Sequence, residues 1–112
     1  MKNPELAPLW SSLRTLLEKF EADMVIVKDE PGYYSLATST GRPFISLVVQ
    51  KKHVGIYSMP LYEDPSLAGE LEYARIGKSC LGFTDEVEPK LEMVKDYFQR
   101  CFMHYVYNGV IR

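Results

Sequence analysis

The chain has only two cysteines, Cys80 and Cys101, and only two histidines, His53 and His104, in 112 residues. The cysteines lie in apolar contexts without C-x-x-C spacing, which speaks against a disulfide or a thiolate metal site and for two reduced, packed thiols. Neither histidine has a partner at the H-x-x-x-H or H-E-x-x-H spacing that places two ligands on one helix face. The N-terminus, Met1-Lys2-Asn3-Pro4-Glu5, has no apolar leader region, and nowhere does the sequence reach the roughly 18 apolar residues of a membrane span. A cytoplasmic protein with no membrane partner is the expectation. Repeats, low-complexity tracts and linkers are also missing. One further shortage is local: from Pro31 to Tyr62 there is no Asp or Glu, the only charges are Arg42, Lys51 and Lys52, and all fifteen carboxylates lie elsewhere.

What is present fits one domain spanning residues 1–112, with 46% hydrophobic residues. A net charge of −2 and a pI near 5.7 argue against non-specific nucleic-acid binding, which draws its affinity from a basic footprint. The chain is organised around Arg42 to Met59, a β-branched run interrupted at Gln50 to His53, which reads as two central strands and a turn. Before it, Asn3-Pro4-Glu5 is a helix start, and Leu6, Leu9, Trp10, Leu13, Leu16, Leu17 and Phe20 keep helical spacing to about Phe20. Met24 to Lys28 and Tyr33 to Thr38 read as strands, joined by the type II turn signal Glu30-Pro31-Gly32-Tyr33. Ile45, Leu47 and Val49 alternate onto one sheet face. Phe44, Ser46 and Val48 take the other, the better place for a pocket or partner. Asp64-Pro65 opens a short helix with Leu67, Leu71 and Ala74 inward, and Ser79 to Phe83 is a fifth strand. A last helix begins somewhere before Lys90, with Val87, Leu91, Val94, Phe98, Cys101, Phe102 and Tyr105 in register and Asn108-Gly109 as the stop.

Motif chemistry is sparse. Gly77-Lys78-Ser79 ends like a phosphate-binding loop, but Glu72 stands where that loop needs glycine, and the order is helix, loop, strand. Two sets of side chains remain. Arg42, Lys51, Lys52 and Lys78, with Tyr57 and Ser79 as neutral donors, would attract an anionic group if they converge; the plainer reading of Lys51-Lys52 is a polar hairpin. Glu18, Glu21 and Asp23, with Glu63 and Asp64, would suit a hard cation or iron if they form a ridge; solvated helix faces and caps are the plainer reading there. A nucleophile, base and orienting acid cannot be assembled.

Pro43 to Tyr57, then Ile76-Gly77-Lys78-Ser79-Cys80-Leu81-Gly82-Phe83 and the helix after Asp85, resemble the YdhG-like domain family. The resemblance covers about residues 43 to 102 and is carried by Lys51, Lys52, Tyr57, Gly77, Lys78, Cys80 and Leu81. Val27 to Glu30 lacks a tryptophan that many members carry before the first turn. It implies a small bacterial domain with an antiparallel sheet, distantly frataxin-like, mostly without established activity and with an iron-chaperone role in one branch. The expectation is an α+β domain of order α-β-β-β-β-α-β-α with both long helices on one sheet face. Its expected role is a non-catalytic binding module without a cofactor, for a small anion or an acidic partner segment. An iron-binding chaperone is the alternative, and a homodimer stays open.

Overall fold

Five strands form one antiparallel sheet in the computed structural model, which describes residues 1–85 and 90–111. They are β1 (Val25–Glu30), β2 (Tyr33–Ala37), β3 (Pro43–Val49), β4 (Val54–Ser58) and β5 (Cys80–Phe83), and their order in space is their order in sequence. Gly32 takes φ +81° after Pro31, the conformation a type II turn requires. Both terminal helices, α1 (Ala7–Leu17) and α3 (Leu91–Tyr107), cover one face and pack on each other, as expected for this α+β class. The register explains why. Tyr34, Leu47, Ile56 and Leu81 are successive cross-strand partners, and all four are buried under the helices. The Trp10 indole fixes α1 to the sheet by donating to the Leu47 carbonyl at 3.0 Å. No helix among the described residues is long and apolar enough to cross a membrane.

Several local expectations are corrected. The first helix gives way after Leu17 to a 3-10 segment (Glu18–Asp23) that still buries Phe20. Met59–Glu63 forms a short helix, α2, which the β-branched run conceals: Ser58 caps it, accepting from the Leu61 amide at 3.2 Å. The segment after Asp64 is 3-10 (Pro65–Ala74) rather than one helix, broken at Gly69 (φ +54°, ψ −127°), and it buries Ala68, Leu71 and Ala74. The last helix begins at Leu91; Val87 lies outside the described residues.

Phe44 is not on the outer face. Between the pairs Ser35↔Ser46 and Ala37↔Pro43, β3 carries one residue more than β2, a bulge that turns both Phe44 and Ile45 inward. A second bulge, at Val27, kinks β1 at the sheet edge, where Val25, Ile26 and Val27 are exposed. Such bulges, with the charges of Lys28-Asp29-Glu30, blunt an edge against pairing with another chain.

One buried group is out of keeping with this core. The Tyr97 hydroxyl lies near Ser58 and Cys101 yet makes no hydrogen bond of normal geometry with a described residue. An unpaired buried hydroxyl costs free energy that its removal returns. Tyr97→Phe is therefore expected to leave stability unchanged or raise it by up to about 1 kcal/mol in urea denaturation. A loss above about 1 kcal/mol would show that the hydroxyl is bonded in solution.

Candidate functional site

Strand register decides which of the expected site residues meet. Lys51 and Lys52 sit in the β3–β4 turn, whereas Arg42 precedes Pro43 at the opposite end of β3, about 20 Å away at roughly 3.3 Å per residue. Lys78 and Ser79 precede Cys80, which pairs with Tyr57, so they lie toward the Arg42 end as well. The six residues expected to form one anion site therefore fall into two groups, with Tyr57 between them.

The group at the β3–β4 turn is the more open to a ligand. Lys2, Gln50, Lys51, Lys52, His53 and Tyr57 line a hollow of about 540 Å³. The N-terminus is brought there by hydrogen bonds that local sequence does not announce: Asn3 Nδ2 donates to the Lys51 carbonyl at 2.9 Å, and Lys2 Nζ to Gln50 Oε1 at 2.9 Å. Gln50 Nε2 in turn donates to the Tyr57 hydroxyl at 3.2 Å. Three ammonium groups thus border the hollow, and no carboxylate is among its described lining residues. Lys51 and Lys52 form no ion pair with a described residue. Lys52 also borders a neighbouring hollow with Glu5 and Asp85, so Lys2 and Lys51 face the less compromised side.

Tyr57 owes its position to Gly55. A Cβ at residue 55 would come within 2.6 Å of the Tyr57 ring, so only glycine lets the ring lie along its own strand toward Gln50. Burial, and then the neighbouring Cys80, raise the phenol's pKa, which keeps it a neutral donor and acceptor. On its other side Tyr57 borders a smaller hollow of about 230 Å³ with Pro43, Phe44, Ser46, Met59 and Tyr62, closed by Ser58 and Ser79.

At the far end of the sheet Arg42 is occupied. It forms an ion pair with Glu63, whose other oxygen lies 3.0 Å from His104 Nε2, and its guanidinium sits 5.7 Å from the Tyr105 ring centroid. The Lys78 side chain is exposed and borders neither hollow, while its carbonyl accepts from Arg75 Nη1 at 3.2 Å. Arg42 and Lys78 thus do not join Lys51; Ser79 touches only the smaller hollow.

The expected acidic ridge is likewise not assembled. Glu18 pairs with Arg14 at 2.7 Å, and Glu21 accepts from the Tyr34 hydroxyl. Asp64 caps the 3-10 segment, accepting from Ser66 N at 3.1 Å and Ser66 Oγ at 2.6 Å, which lowers its pKa. Asp23 lines a separate hollow with Thr38, Ser39 and Thr40, and Glu63 is held by Arg42 and His104. Among the described residues no three of His, Cys, Asp and Glu are grouped so as to hold a metal ion. Both cysteines are free and buried; burial raises the pKa of each thiol, Cys101 to about 11.

No family model, curated protein or solved structure matches this chain.

Proposed function

We propose that this protein is a non-catalytic binding module of the YdhG-like kind whose ligand is a small anion or an acidic segment of a partner, received at the β3–β4 turn. The observation that carries the reading is the hollow bordered by Lys2, Lys51 and Lys52 without a described carboxylate. Cations so placed lower the energy of an approaching anion, and the neutral donors beside them add direction. A non-catalytic role is supported by the state of the two thiols, both buried with raised pKa values, which disfavours a nucleophilic thiolate. The acidic set is not carried forward, because Glu18, Glu21, Glu63 and Asp64 already have protein partners.

Calorimetric titration of the full chain with inorganic phosphate, sulfate and short carboxylates tests the reading. Lys51→Ala is expected to weaken anion binding about tenfold, the effect of losing one charge-assisted contact of about 1.4 kcal/mol, and raised salt should weaken it further. Lys78→Ala, remote from the hollow, should change nothing. Anion binding that ignores Lys51→Ala, or no binding at all, would overturn the assignment.

A further inference from the structure

The two hollows that share Tyr57 differ in character. The one at the β3–β4 turn is basic, whereas the smaller one is walled by Pro43, Phe44, Met59 and Tyr62 and has no charged residue among its described lining. Its hydroxyls are largely spoken for: Ser46 Oγ lies 2.6 Å from Ser35 Oγ, and Ser58 Oγ caps α2. What it offers a ligand is apolar surface, with a methionine able to adapt its shape. The sheet face between the hollows is low. Ser35, Ser46 and Gly55 project little from it, half-buried Val48 beside Gly55 adds an apolar step, and the Tyr57 ring lies along the strand rather than standing up as a partition.

We propose that the two hollows form one elongated site for an amphiphilic anion, a compact oxyanion head on Lys2 and Lys51 with a single acyl tail running past Tyr57 onto Pro43, Met59 and Tyr62. The inference rests on the anion reading above and names the class of ligand for that site. Charge and shape agree on it. β4 runs from Val54 beside the basic turn to Ser58 beside the apolar hollow, about 13 Å at roughly 3.3 Å per residue. A compact inorganic anion cannot span that length, whereas a medium-length acyl chain does. Chemically, the head is either a carboxylate or a phosphate; both accept charge-assisted hydrogen bonds from ammonium groups.

The test is a titration of the full chain with acetate, hexanoate, octanoate, octyl phosphate and uncharged octanol. Each buried methylene tightens binding by up to about fourfold. Octanoate is therefore expected to bind at least tenfold more tightly than acetate, a margin that allows for partial burial. Octanol should bind more weakly than octanoate, and the better of octanoate and octyl phosphate identifies the head. Tyr62→Ala, a change at an exposed side chain that the fold tolerates, should remove most of the chain-length gain while leaving acetate unaffected. Lys51→Ala should weaken every anion by the same factor. If acetate and octanoate bind alike and both still depend on Lys51, the elongated site is wrong and the anion reading stands. If no anion binds, or octanoate binding ignores Lys51→Ala, both fall.

Discussion

Alanine at position 44 is expected to lower the stability of the protein by about 3–5 kcal/mol, a large share of the total stability of a domain this size. Phe44 is 1% exposed and joins Phe20, Phe102 and Tyr105, with ring centroids at 5.8, 6.4 and 5.8 Å. Those rings come from the 3-10 segment after α1 and from the C-terminal half of α3, so one side chain ties both ends of the chain to the sheet. Removing it leaves a cavity that three aromatic neighbours cannot fill without leaving their rotamers. In thermal unfolding this corresponds to a fall in Tm of roughly 12–25 °C. Phe44→Leu, which keeps most of the volume, should cost less than half as much. A loss below about 1 kcal/mol in Phe44→Ala would show that the β3 bulge does not hold Phe44 inward.

Steep alkaline unfolding is the second large effect expected. Cys101 and Tyr97 are both fully buried on α3, and burial is the main cause that raises their pKa values, Cys101 from 9.0 to about 11. Each therefore stays protonated in the folded chain at a pH where the unfolded chain has released the proton. Groups raised in this way contribute their full stability below their unfolded pKa and lose it as pH rises toward the folded value. Between pH 10 and pH 11 both are more ionised when unfolded than when folded, so stability falls by roughly 2 kcal/mol over that unit from these two alone. Tyr34 and Tyr105, also raised by burial, add in the same direction. Urea midpoints measured between pH 8 and pH 11 give the slope. Tyr97→Phe should roughly halve the part due to this pair, and a flat profile over that range would sink the account.

Much of the sheet was legible in the sequence because turn chemistry and β-branched runs agree there. Pro31-Gly32, Gly41 and the polar break at Gln50 to His53 each fall between strands. Elements with no sustained period were hidden. Met59-Pro60-Leu61-Tyr62-Glu63 is too short to show a helical stripe, and Gly69 interrupts the pattern that made Pro65–Ala74 look like a single helix. Alternation misplaced Phe44 because the bulge puts two successive residues, Phe44 and Ile45, on one face, and nothing in the local sequence marks where the extra residue goes. The candidate site was half visible. Lys51-Lys52 stands out in a segment without carboxylates, but Arg42 and Lys78 were grouped with it on charge alone, and charge carries no register. Lys2 was missed because its approach to Gln50 depends on a contact spanning 48 positions.

The nearest-neighbour strand order bears on how the chain is made. Hairpin follows hairpin from β1 to β4, so pairing proceeds through local loop closures and none of these strands waits for one far downstream during synthesis on the ribosome. The helix side of that sheet is a different matter. Until α3 is translated, Leu47, Ile56 and Leu81 have α1, α2 and the Pro65–Ala74 segment to shield them but not the long helix that packs on all three of those elements, and α3 is the last described helix to emerge. A nascent chain paused after β5 would carry a finished ladder over a partly bare apolar surface, the kind of surface that chaperones bind.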